Sequence, residues 1–271
     1  MTTAKVDEDE IEASRAPLLT HLIELRSRLI VALWALAAAF AFCFFWKEHI
    51  FIFLTDPFVA AMRRVMPARA HDVIQMINTD AFGFFMVEMQ VALFAAIVLA
   101  FPVIAYEAYA FVAPGLYKRE RAAVAPFLVA APIMFLLGGV FVYFVAMPFA
   151  LEFALAQQKT VGQIRVDYLP RVDQYVGLET TLVLAFGLFF QLPVVLSLLA
   201  RVGLVSARLL RKGRRYAVVA IAAFSALVTP PDIISMSLMT VPLYGLYEAS
   251  ILLVWFIERG RVKQEAAAAA T

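Results

Sequence analysis

The sequence predicts an all-α membrane protein with six transmembrane helices, and three observations carry that reading. The 271-residue chain is 63% hydrophobic with 24 Phe, more apolar surface than one soluble domain of ordinary composition can hide from water. Its apolar runs approach or exceed the ~20 residues a helix needs to cross a hydrocarbon core. All 23 Lys and Arg residues fall outside those runs. The formal net charge of +2 does not point to nucleic acid, so the placement of charge matters more than its sum. Cys43 is the only cysteine and lies inside an apolar run, which excludes a disulfide or a thiolate metal site within the chain.

Residues 1–20 form a polar, acidic segment without the basic n-region and small-residue site of a cleaved signal peptide. Residues 21–258 are expected to form the membrane domain, and 259–271 a low-complexity tail. The six spans are read at roughly 29–46, 81–109, 123–149, 175–200, 216–229 and 234–257. Alternate connections carry sixteen basic residues on one side and seven on the other, which predicts both termini in the cytoplasm.

Between the first two spans, residues 47–80 contain apolar runs broken by Pro57 and Pro67, with Arg63, Arg64 and Arg69 between them. They read as short amphipathic helices lying on the outer face, as do residues 150–174. The fifth span, Tyr216 to Thr229, would be only about 21 Å long against a core of about 30 Å. Either the bilayer thins there or the helix borrows residues such as Leu209 and Leu210. The "VTPPD" turn that follows cannot continue a helix, and Asp232 can cap the next one, giving a tight outer hairpin.

Catalytic signatures are missing. His21, His49 and His71 are far apart with no i, i+4 pair, and neither a Walker A nor a GxSxG motif is present. Neither an enzyme nor a cofactor is expected. The polar residues near or within spans are Glu24, Glu88, Glu107, Glu120, Glu179, Gln191 and Glu248, and an ionisable group at membrane depth raises a functional question by default. Glu88 and Glu179 fall at outward-facing span ends, where interfacial water would solvate them. Gln191, mid-span, wants a partner on a neighbouring or guest helix. Glu248 has Tyr244 and Tyr247 within reach. Glu24, in "HLIELRSRL", shares a helix face with His21 and Arg28; the plain reading is an i, i+4 ion pair worth a few tenths of a kcal/mol. Glu120, in "GLYKRERAAV", sits among basic residues at the same membrane edge.

"HLIELRSRL", "FPVIAYEAYAFVAPGLYKRER", "AFGLFFQLPVVLSLL" and "VTPPDIIS" with "VPLYGLYEASI" occur in that order on the spans. Together they resemble the TatC family, the polytopic subunit of the twin-arginine protein translocase, from about residue 20 to 258. The resemblance implies a concave six-helix bundle in the cytoplasmic membrane that receives signal peptides with two consecutive arginines and scaffolds the translocation of folded proteins. It implies Glu24 and Glu120 as recognition carboxylates, with Arg26 beside them and Phe111 packing against the peptide. It implies single-span TatB-like and TatA-like partners docking near spans five and six, where Thr229, Ser235 and Met236 would meet a partner helix. Self-association and drive by the proton-motive force follow from the same resemblance.

Three positions depart from the family pattern: Gln191 replaces a glutamate, Met236 replaces a glutamine, and Glu107 in "YEAY" is an added carboxylate without an assigned purpose. The reading from another class is a six-span transporter or proton channel for a small solute, lined by Glu248, Gln191 and Glu179. Against it, interrupted helices do not recur in matching halves. An intramembrane hydrolase would need a nucleophile and base that the spans lack.

Overall fold

The computed structural model describes the backbone of residues 3–65, 75–112, 118–161, 164–166, 170–228 and 233–269, and the side chains of 21–65, 75–111, 126–158, 170–228, 233 and 236–260. In chain order the elements are α1 (Thr3–Phe45), α2 (Lys47–Val65), α3 (Gly83–Val112), α4 (Lys118–Phe141), a π-helical turn (Val142–Ala146), α5 (Met147–Ala156), β1 (Lys159–Val161), β2 (Ile164–Val166), α6 (Val172–Phe189), α7 (Leu192–Arg201), α8 (Ala207–Val228) and α9 (Ile233–Ala269). Among the described residues, five stretches are long and apolar enough to cross a membrane: His21–Phe45, Gly83–Phe111, Pro126–Ala156, Val172–Arg201 and Met236–Gly260. The protein is a multi-pass, mainly helical membrane protein. Large apolar side chains such as Trp34, Phe45 and Leu227 are exposed around it, as lipid-facing positions require.

The predicted fifth span is the exception. Its helix, α8, begins at Ala207 and not near Tyr216, so it does include Leu209 and Leu210. Its first half also carries Arg208, Arg211, Lys212, Arg214 and Arg215, which keeps the whole helix below the apolarity of the other five. The all-α expectation also needs amending by one small feature: β1 and β2 pair as an antiparallel hairpin, Lys159 opposite Val166 and Val161 opposite Ile164.

Pro57 does not break the chain into two helices as expected, because α2 runs through it and buries it. A proline lacks the N–H that would bond the carbonyl four residues back, here that of Phe53. The Tyr143 hydroxyl donates to that carbonyl at 2.9 Å, and the two rings stack with centroids 4.5 Å apart. Tyr143 reaches it from the π-helical turn just before Pro148, a local widening that re-aims the side chain. The Tyr175 hydroxyl donates to the next carbonyl, that of Leu54, at 2.9 Å. Around this junction Leu54, Phe58, Val87, Met147, Leu151 and Val176 form part of the largest buried cluster.

The α1–α3 pair positions the site. Ala39, Ala96 and Ala100 form a buried seam, small enough to let two helices approach closely. The register is constant along the pair. Arg28 lies eleven residues before Ala39 and Glu107 eleven after Ala96, and these two side chains meet at 3.1 Å. In the other direction Lys47 lies eight residues past Ala39 and Glu88 eight before Ala96, and they meet at 2.6 Å. The two ion pairs are nineteen residues apart on each side, and on α3 this is about 28 Å of helix, close to the thickness of a hydrocarbon core. Glu88 is therefore not a freely solvated end charge but one half of a cross-helix pair.

Candidate functional site: a carboxylate-rich helix end

At the Arg28 end of the seam, α1 and the last turns of α3 bring together five residues from two sequence-distant segments. Glu24 precedes Arg28 by one helical turn, so both project from the same face. The Arg28 Nε and Nη2 donate to Oε1 of Glu24 at 3.1 and 2.8 Å. Its Nη1 donates to Oε2 of Glu107 at 3.1 Å. One turn before Glu24, the His21 ring stacks on Phe111 with centroids 4.2 Å apart and planes 20° from parallel. The i, i+4 pair expected from the sequence is present, but it is half of a three-residue arrangement.

Burial is graded across this group. The side chain of Glu107 is 14% exposed, Arg28 27% and Glu24 31%. Oε2 of Glu24 and Oε1 of Glu107 accept no hydrogen bond from the described residues. Two carboxylates sharing one guanidinium leave a net charge of −1 at a partly desolvated membrane edge, where electrostatic interactions are stronger than in bulk water. Arg26 is exposed nearby in sequence. Glu120 lies in the first turn of α4, and its side chain falls outside the described residues.

The remaining polar candidates are dispersed. Gln191 sits in the break between α6 and α7, and its Nε2 donates to the carbonyl of Ala131 on α4 at 2.8 Å; the neighbouring-helix partner expected of it is found. Oε1 of Glu248 accepts from the Tyr244 hydroxyl and Oε2 from Arg214, both at 2.7 Å, whereas Tyr247 turns to the Leu210 carbonyl at 2.8 Å. Glu179 corrects the sequence reading. It is fully buried, and neither oxygen has a hydrogen-bond partner among the described residues. It faces the packed interior of α6, so interfacial water does not solvate it. Met236 is half-buried at the start of α9. Thr229, Asp232 and the side chain of Ser235 lie outside the described residues. No cluster of three or more metal-binding side chains occurs among the described residues.

The role of Glu107 escaped the sequence reading, although a signal was present. Arg28 and Lys47 are nineteen residues apart, and so are Glu88 and Glu107. Equal spacing of two basic groups on one segment and two acidic groups on the antiparallel next one is the pattern of two cross-segment ion pairs. The His21–Phe111 stack had no comparable signal, because it joins the interior of α1 to the last turn of α3.

Apolar spans with ion pairs at their ends define a polytopic membrane protein. The family model described as Sec-independent protein translocase protein (TatC) matches residues 20–242, and the chain belongs to that family. A TatC of Magnetococcus marinus is 37% identical over 253 residues, covering 93% of this chain and 89% of the relative. The Escherichia coli TatC is 33% identical over 250 residues, covering 92% of each. A crystal structure of a twin-arginine translocase receptor, TatC, superposes with a TM-score of 0.74 at 31% identity, covering 88% of this chain and 99% of that one. The chain is thus a protein-transport component and not an enzyme.

Proposed function

We propose that this protein is the receptor subunit of a twin-arginine translocase in the cytoplasmic membrane, binding the paired arginines of signal peptides on folded cargo at the Glu24 end of α1 and α3. The single observation that carries this reading is the convergence of Glu24, through its neighbour His21, with Phe111 at one end of the helix pair. The solved relative is described as a twin-arginine translocase receptor. A guanidinium makes planar, two-pronged bonds to carboxylate that the point charge of lysine does not reproduce. In this reading one guest arginine binds Glu24, the second binds Glu120, Arg26 borders the site, and Phe111 packs against the peptide.

The same reading makes α8 the fifth of six spans, places both termini in the cytoplasm and puts α2, with Pro57, and the segment around the β-hairpin on the outer face as caps, with the Asp232 turn on that side. TatB-like and TatA-like single-span subunits dock along α8 and α9, with Thr229, Ser235 and Met236 toward the partner helix. Gln191 offers a neutral hydrogen-bonding group in place of a charge. The chain also contacts membrane lipid and further copies of itself, and the proton-motive force supplies the energy. The small-solute transporter is disfavoured because Gln191 and Glu248 are engaged within the bundle.

The test is retention of a fluorescent Arg-Arg signal peptide by the purified chain in nanodiscs, with a Lys-Lys peptide as control. Glu24→Ala or Glu120→Ala is expected to weaken binding roughly tenfold or more, the cost of an unmatched charged hydrogen-bonding partner. Glu24→Gln isolates charge from shape. Unchanged photocrosslinking of the signal peptide to both alanine variants in membranes rejects the reading.

A further inference from the structure

We infer that Glu107 is a specificity-setting residue of the peptide site: it holds Arg28 as a resident guanidinium and so leaves Glu24 with negative charge to offer a guest arginine. The inference rests on the reading of Glu24 as a recognition carboxylate. Three facts carry it. Arg28 is bonded by both carboxylates at once, through Nε and Nη2 to Glu24 and through Nη1 to Glu107. Both bonds to Glu24 end on the same oxygen, Oε1, so Oε2 remains an open acceptor among the described residues. Glu107 is the most buried of the three, fixed from the side of α3 by the constant register of the alanine seam.

The charge count explains why the third residue matters. Glu24 and Arg28 alone would be neutral, a closed i, i+4 pair with its own arginine already in place of the guest's. Adding Glu107 makes the group −1 and gives Arg28 a second anchor. When a guest guanidinium arrives at Glu24, Arg28 can lean onto Glu107 without leaving a buried cation unpaired. An arginine can be shared in this way because its fork presents donors on separate edges. The site thus presents to its ligand a carboxylate whose resident partner has somewhere else to go.

The experiment measures Kd for the Arg-Arg peptide in nanodiscs for wild type, Glu24→Gln, Glu107→Gln, Arg28→Gln and the double variant Glu107→Gln/Arg28→Gln, with fluorescence-detected gel filtration confirming that each is folded. Glu107→Gln, which takes the group to neutral, is expected to weaken binding roughly tenfold. The double variant restores −1 and is expected to return to within about threefold of wild type, whereas a purely structural role would leave it at least as weak as the single variant. Wild-type affinity in Glu107→Gln, or no recovery in the double variant, overturns the inference. Should Glu107→Gln alone fail to fold, the double variant against Arg28→Gln decides it: because Glu107 acts through Arg28, the two are expected to agree within about threefold, and a double variant about tenfold weaker than Arg28→Gln overturns it. A normal Kd in Glu24→Gln removes the underlying reading as well, so the two failures are distinguishable.

Discussion

Both oxygens of Glu179 lie inside the bundle without a hydrogen-bond partner among the described residues, and desolvating a polar group without such a partner is unfavourable. Glu179→Met, of similar volume and apolar, is expected to stabilise the protein by about 1–3 kcal/mol, read as a higher melting temperature in detergent. An unchanged or lower value would mean that a partner is present in the membrane. Tyr143 is the opposite case, a hydroxyl that supplies the donor a proline removes. Tyr143→Phe keeps the ring stack on Phe53 but leaves a carbonyl unsatisfied, and a loss of about 1–3 kcal/mol is expected in the same melting assay. At this scale the sequence was informative where a partner lies one turn away, as for Glu24 with Arg28 or Tyr244 with Glu248. It misplaced Glu179 in interfacial water, because its burial depends on which way α6 is rotated, a property of packing and not of local pattern.

Among the elements, α4 and α6 approach most tightly where two glycines face each other's helices. A Cβ on Gly138 would stand 2.7 Å from the Phe186 carbonyl oxygen, and one on Gly187 2.6 Å from the Phe135 ring. Phe135 is itself stacked on Phe101 with centroids 3.9 Å apart, so it has little room to yield. Gly138→Ala meets backbone and is expected to destabilise by about 1–3 kcal/mol, measured as a lower melting temperature and earlier aggregation on gel filtration. The spans themselves were legible because membrane thickness imposes a length and forbids exposed charge. The sequence reading placed α3 and the Val172–Arg201 span to within a few residues. For α8 it left two options open, and the helix takes the second, running back through Lys and Arg residues to include Leu209 and Leu210. It misjudged Pro57 because the cost of a mid-helix proline can be met by a side chain ninety residues away.

In the molecule as a whole, segments 75–80 and 170–172 tie the starts of α3 and α6 together. The Ile77 amide donates to the Pro170 carbonyl at 3.1 Å and the Val172 amide to the Ile77 carbonyl at 3.0 Å, while Arg171 reaches Asp80 at 3.2 Å. Beside Asp173 and Asp80 the Arg171 guanidinium is held even more firmly in its charged form. This end of the molecule is tethered through the backbone, whereas among the described residues α1 and α3 are joined at the Glu24 end through side chains. Severing Lys47–Glu88 by Glu88→Gln is expected to lower the melting temperature in detergent while leaving the Arg-Arg peptide affinity within about twofold, because the pair sits about 28 Å from the peptide site. A large loss of affinity in that variant would couple the two ends. Charge clamps one bilayer apart act like pins through a hinge leaf: the segment from α1 into the start of α2 cannot slide on α3 without pulling both. In the proposed reading an incoming signal sequence meets a docking floor whose height in the membrane is fixed before it arrives, and the opening that admits cargo lies between other helices.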